Sequence, residues 1–358
     1  MDTKQIALGI FNTLLVFGLS TSNNFNINDT KAINGLHAED LKPQPLDLSL
    51  MEDELFKDRL ESISSAIPMA FNQLVKKNVN AYIRRKESTE RLIGTTQLYK
   101  PMFSRWLIEE GVPSEIAYLP IIESGVKIDA LSHAGAYGMW QFMKATAEIF
   151  DLRIDSFIDE RRDPEKATQA AARYFKHLHG IYDDWVLALA AYNCGPGNVN
   201  KAIRRAGGKK DYWEIRQFLP KETRYYVPKF IAANYIMNFY DFHGLTPTFK
   251  GVDFSFDYFI TVENNTSIEK LTTDLNVSEQ SFRQLNPFLL TDVIPGDLYP
   301  VKVKVPYPLY KETKQLIEPI DELDAPALDT FSKLEALFPS KLATETLKHD
   351  LVMELSYN

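Results

Sequence analysis

Cysteine is almost missing from this chain. Cys194 is the single one in 358 residues, so no internal disulfide can form. A lone thiol reads as a small buried hydrophobe, the usual fate of a free cysteine. An exported chain of this size without a disulfide framework points to a bacterial secretory product. Blocks of basic residues are missing as well. The net charge is -8 and no Lys/Arg run is interleaved with aromatics, which argues against a nucleic-acid partner, whose binding rests on neutralising phosphates. The apolar run from Ile6 to Leu19 falls short of the roughly 20 residues a membrane span takes. Preceded by Lys4 and followed by Ser20-Thr21-Ser22, it reads over 1–22 as a signal peptide or a retained N-terminal anchor. No cysteine follows it to carry a lipid. Internal repeats are absent. His177 and His179, two residues apart, would face different sides of a helix, so neither a metal ion nor a cofactor is expected. What remains is ordinary globular composition, 45% hydrophobic and 25% charged, enough for one large or two modest cores.

Residues 23–50, rich in Asn, Asp and Pro, read as a flexible leader. From 51 to 248 the pattern is helical. Asp163 and Pro164 make an N-cap and first-turn pair, and the apolar face that follows is expected to stop at Gly180. A helix is predicted from about Pro113 to Glu123, another over Asp184–Asn193, a third from Asn198 to Gly207-Gly208, and a fourth over 221–241 with Pro228 inside it. Then the period changes. Phe254, Phe256, Tyr258 and Ile260 alternate as a strand, Ser267–Leu275 and Glu279–Leu285 read as short helices, and Tyr299, Val301, Val303 and Val305 as a second strand. This makes 252–306 a small βααβ module. Residues 307–358 form an acidic, amphipathic, helical tail.

Three segments carry chemistry. Glu123 ends the apolar stretch Leu119-Pro120-Ile121-Ile122; a carboxylate there must be paired or lose its charge. Half-buried at a helix end, its pKa would rise and it could donate a proton near neutral pH. An exposed or salt-bridged glutamate is the plainer alternative. In the second segment, Ser132 to Met143, small residues and two glycines precede Trp140, Gln141 and Met143, side chains suited to stacking on sugars and bonding their hydroxyls. A tight structural turn would have the same composition. The third, Ala191-Tyr192-Asn193-Cys194-Gly195-Pro196-Gly197, is a helix end with two polar residues before the break.

Taken together, IIESGVKIDALSHAGAYGMWQFMKATA, AAYNCGPGNV and LPKETRYYVPKFIAA, in that order over about 100–240, resemble the goose-type-lysozyme-like lytic transglycosylases of glycosidase family 23, and among them the membrane-bound type D enzymes. The resemblance implies a mainly α, lysozyme-like catalytic domain. It places Glu123 as general acid/base, with Ser132, Gln141, Met143, Tyr192, Asn193 and Tyr226 around the substrate. Lys144, Cys194 and Tyr225 depart from the family pattern without removing a catalytic group. The piece FITVENNTSIEKLTTDLNVSEQSFRQLNP with YPVKVKVP resembles a degenerate LysM domain, in which Glu263-Asn264-Asn265 replaces the usual glycine-aspartate turn; such modules bind N-acetylglucosamine-containing glycans.

The implied partner is the peptidoglycan glycan strand, at the cell envelope or periplasm; no protein partner is indicated. Glycosidases ordinarily flank the scissile bond with two carboxylates, about 5–5.5 Å apart when retaining and about 6.5–9.5 Å when inverting. The family uses one. It protonates the oxygen between N-acetylmuramic acid and N-acetylglucosamine, then deprotonates the muramic C6 hydroxyl, which closes a 1,6-anhydro ring. An attacking group within the same sugar supplies a large effective concentration. Two other readings stand beside this one: a true lysozyme, helped by Asp129, Asp151 or Asp159, and a wall-binding scaffold that has lost catalysis.

Overall fold

The structure, a computed structural model, describes residues 48–63, 65–249 and 257–306. The chain divides into two units, Met1–Asp53 and Glu54–Asn358, and the fold described is that of the second. The expected signal segment, most of the leader, the first half of the alternating run at 254–260 and the acidic tail lie outside the described residues. The architecture is mainly helical, with a small strand-and-helix module after it.

Local signals explain most helix ends. Asp163 Oδ1 accepts from the N–H groups of Glu165 and Lys166 at 2.9 and 3.1 Å, starting the Pro164–Tyr182 helix. That helix does not stop at Gly180. It runs on to Tyr182, whose ring is buried and whose hydroxyl donates to the Pro196 carbonyl at 3.0 Å, so tertiary packing overrides the glycine. The left-handed residue that ends it is Asp183. Asp184 then caps Trp185–Cys194 through the Leu187 N–H at 2.7 Å. Pro196 opens the next helix, Pro196–Arg205, two residues earlier than expected. The Pro113–Glu123 stretch is broken into a 3-10 turn, Ser114–Tyr118, and a short α-helix, Leu119–Glu123, with Pro120 at the start of the second. The first described helix is Leu48–Glu61.

The core forms around Trp185–Cys194, buried continuously from Val186 to Ala191. It packs on Pro164–Tyr182, Pro196–Arg205 and Thr223–Phe239. Ala167, Ala170 and Ala171 on one side and Ala188, Ala190 and Ala191 on the other are buried, and such small residues let helix axes approach closely. Pro228 lies inside Thr223–Phe239. Having no N–H, it leaves the Arg224 carbonyl without its helical donor, and Arg216 Nε supplies one at 2.6 Å.

In the module, β1 (Asp257–Val262) pairs antiparallel with β4 (Val301–Pro306), Ile260 opposite Val303. Two short strands not anticipated from periodicity, β2 (Asn265–Ser267) and β3 (Val293–Pro295), form a second pair. The element order is therefore ββααββ rather than βααβ. Three residues are too few for an alternation to show. The helices are Ile268–Asp274 and Glu279–Leu285, each capped by the serine before it. Ile260, Phe282, Val303 and Val305 lie in the module's core, and Ile158, from the helical part of the chain, is buried among them.

Gly94, in the Lys86–Glu109 helix, touches backbone: a Cβ there would lie 2.2 Å from the Thr248 carbonyl oxygen. Thr248 is held in place because its N–H donates to Glu90 O at 3.0 Å. Gly94→Ala is therefore expected to destabilise by about 1–3 kcal/mol, read as a lower urea midpoint with an unchanged slope.

Candidate active site

Glu123 is the last residue of Leu119–Glu123, and Leu119, Pro120 and Ile121 before it are buried. The carboxyl is itself partly buried. Among the described residues its one hydrogen bond is from the Tyr226 hydroxyl to Oε1, a short contact. Burial is the main cause pushing its pKa up, from 4.5 to about 7; the Tyr226 hydroxyl pulls it down, the Glu222 carboxylate pushes it up and the Lys229 ammonium pulls it down. Burial wins, because neither the single hydrogen bond nor the exposed lysine replaces the water a carboxylate loses. The result is an acid about half protonated near neutral pH.

Glu222, Tyr226 and Lys229 are spaced i, i+4 and i+7, one face of a helix. Glu222 and Lys229 were not singled out from sequence, although this spacing from Tyr226 was available as a signal. Tyr226 is 4% exposed. Burial first, then the charge of Glu123, raises its hydroxyl pKa well above 10, so it stays a donor.

The segment after Glu123 is anchored beside it. Ser124 Oγ donates to the Met139 carbonyl at 2.9 Å. Gln141 sits at a φ of 51° and gives both amide protons to the carbonyls of Ala130 and Gly138, each at 2.8 Å, which leaves Oε1 as its acceptor. Ser132 Oγ accepts the Ala136 N–H at 2.9 Å. Met143 is 45% exposed and precedes the Lys144–Ile149 helix. Neither Ser132 nor Met143 is hydrogen-bonded to Glu123. Trp140 does not face sugar. It is fully buried, edge-on to Phe103, with its indole N–H on Thr168 Oγ1 at 2.9 Å. An aromatic next to glycines served packing here, where composition had suggested stacking.

Tyr192 and Asn193 tie this segment to the late helix. The Tyr192 hydroxyl donates to the Trp140 carbonyl at 2.7 Å. Burial and then the charge of Glu123 hold its pKa well above 10. Asn193 Oδ1 accepts from Thr223 Oγ1 at 2.7 Å, at the start of the helix that carries Tyr226. Cys194 is partly buried and burial pushes its thiol pKa up, which keeps it a thiol. Asp159 is bidentate on Arg161, Asp151 lies by Arg173 at 3.8 Å, and Asp129 is exposed; none of the three acts on Glu123. Among the described residues no group of three or more His, Cys, Asp or Glu side chains could hold a metal, and the His179 ring stacks on Trp185 at 3.9 Å.

The helical part of the chain thus sets a carboxyl of raised pKa beside a tyrosine hydroxyl. Residues 102–215 match the Transglycosylase SLT domain. Membrane-bound lytic murein transglycosylase D of Escherichia coli (strain K12) is 34% identical over 170 residues, 46% of this chain and 37% of that protein. Peptidoglycan transglycosylase gp16 of Escherichia phage T7 is 37% identical over 137 residues, 34% of this chain and 9% of that protein. Among solved structures, the 70 kDa soluble lytic transglycosylase of Escherichia coli is 26% identical with a TM-score of 0.35, covering 43% of this chain and 26% of that one. The chain spans well under half the length of the relatives named here.

The raised pKa has a thermodynamic signature. The folded state binds the Glu123 proton more tightly than the unfolded chain. The stability this gives is complete below pH 4.5 and is lost as pH rises through about 7. Glu123→Gln is uncharged throughout. Relative to it, the parent is expected to lose at most about 3 kcal/mol across that window, measured by urea unfolding at a series of pH values.

Proposed function

We propose that the chain cleaves the β-1,4 bond between N-acetylmuramic acid and N-acetylglucosamine in peptidoglycan as a lytic transglycosylase, with Glu123 as its acid and then its base. The observation that carries this reading is a partly buried carboxyl, its pKa pushed up to about 7 by burial, that among the described residues is hydrogen-bonded by Tyr226 alone. The SLT match over 102–215 and the likeness to the two transglycosylases named above support it.

In the first step Glu123 gives its proton to the glycosidic oxygen as the bond to muramic C1 breaks. The substrate's own N-acetyl group stabilises the electron-poor C1. In the second step the Glu123 carboxylate takes the C6 hydroxyl proton and O6 bonds to C1. The proton count closes, no water is consumed, and the product is a 1,6-anhydro sugar. Tyr226 suits both halves, since its neutral hydroxyl supports the carboxylate that exists between them. Gln141 Oε1 and the Tyr192-Asn193 pair would line the sugar ring, with Ser132 and Met143 further along the same segment. The site of action would be the cell envelope. Among the described residues no helix is long and apolar enough to cross a membrane. We extend the proposal to the C-terminal module as a LysM-like glycan binder.

Hydrolysis is the second reading, and one observation adds to it. Among the charges that shift the Glu123 pKa the one carboxylate is Glu222, which makes it a candidate second carboxylate beside Asp129, Asp151 and Asp159.

Digestion of purified peptidoglycan, with muropeptides identified by mass spectrometry, separates the readings. The parent is expected to release anhydro-muramic ends, and Glu123→Gln to slow release by about 10²–10⁴-fold. Reducing ends would instead favour hydrolysis. No products from a folded parent would favour a wall-binding scaffold.

A further inference from the structure

The Ser132–Met143 segment bonds partly to itself, Gly135 N–H to Ser132 O at 3.0 Å and Tyr137 N–H to Phe142 O at 3.1 Å. Its left-handed turns at Gly135, Gly138 and Gln141 leave other carbonyl lone pairs open to donors from elsewhere. Arg161 Nη1 supplies two of them, to Gly135 O at 3.0 Å and Phe142 O at 3.2 Å. The far edge of the same guanidinium is gripped by Asp159, Nε to Oδ1 at 2.9 Å and Nη2 to Oδ2 at 2.6 Å. Both side chains are buried. The Arg161 backbone also presses on the segment: a Cβ on Gly138 would lie 1.9 Å from the Arg161 carbonyl oxygen.

Asp159 is in turn fixed from the C-terminal module. Its N–H donates to Phe288 O at 2.9 Å, and Leu290 N–H donates to Phe157 O at 2.8 Å. Ile158 and Leu289 form an antiparallel bridge between these hydrogen bonds, and the Ile158 side chain, 1% exposed, is part of the module's own core. Around this seam Arg153 stacks 3.7 Å from the Tyr299 ring, the Tyr299 hydroxyl bonds Asp155, and Lys304 lies 3.8 Å from Glu165.

We propose that the C-terminal module is a support for the substrate segment, holding Ser132–Met143 in register with Glu123 through Ile158, Asp159 and Arg161, whatever glycan affinity it has of its own. Arg161 is then a positioning residue. The inference rests on reading Ser132–Met143 as the substrate-facing segment. The coupling needs no long-range device, only contiguous buried contacts. A fork that bonds a carboxylate and two carbonyls at once requires arginine, and lysine does not reproduce it.

The test uses the full chain with Ile158→Ser, which unseats the seam, Arg161→Lys, which removes the fork, and the double variant. Hydrogen exchange followed by mass spectrometry reads backbone protection, and retained protection over Trp185–Cys194 certifies the fold. Both single variants are expected to speed exchange across 130–143 by roughly tenfold or more. They should raise the half-saturating wall concentration roughly tenfold with a smaller change in limiting rate. Because they act along one path, Ile158→Ser should add little to Arg161→Lys. Exchange that rises in 154–159 and 286–305 but not in 130–143 would overturn the proposal, as would effects of the two variants that multiply independently. The exchange arm decides the coupling even if the parent releases no muropeptides, an outcome that would sink the functional reading alone.

Discussion

A buried carboxyl is tolerated only while it is neutral or fully partnered, and that constraint on Glu123 organises the surrounding structure. The short Leu119–Glu123 helix sinks its apolar residues and carries the carboxyl in with them. Tyr226 meets it from the Thr223–Phe239 helix. Thr223 fixes Asn193, Tyr192 fixes the Trp140 carbonyl, and Ser124 fixes the Met139 carbonyl. The site is thus a ring of side chains closing on irregular backbone. Regular secondary structure supplies Glu123, the Tyr192-Asn193 pair and Tyr226 from three separate helices.

Much of this could be read along the chain, because it is local chemistry. Asp163-Pro164 and Asp184 mark helix starts by capping, a short-range interaction that leaves its mark in adjacent residues. The apolar run ending in Glu123 left two readings, an acid held away from water or an exposed or salt-bridged glutamate, and burial raises its pKa as the first requires. Non-local effects were less legible. Gly180 reads as a stop, but the burial of Tyr182 carries the helix past it. Trp140 beside two glycines reads as a sugar platform, and the partner that claims its N–H, Thr168, is 28 residues away. The short strands at 265–267 and 293–295 have too few residues to show a period, and only pairing defines them. The roles of Arg161 and Asp159 were invisible for a similar reason: a charged pair two residues apart looks like surface until the carbonyl partners of Arg161, 19 and 26 residues upstream, are known.

Polar side chains elsewhere act in the same way. Asn286 in the module bonds the Phe282 carbonyl of the helix it caps and both backbone groups of Lys304 on β4, and Arg216 supplies the donor that Pro228 lacks. Such side chains complete hydrogen bonds that the local backbone leaves open.

The burial of Ile158 within the module's core bears on how such a chain can be inherited and recombined. Modules that trade freely between genes carry complete cores and meet their neighbours through wettable surfaces. Here a residue of the helical part fills a place in the module, so a recombination breakpoint between them would leave one fragment with an apolar hole and the other with an apolar knob. The two parts are bound to evolve as a pair: a change of volume at Ile158 must be answered from the module's side of the seam.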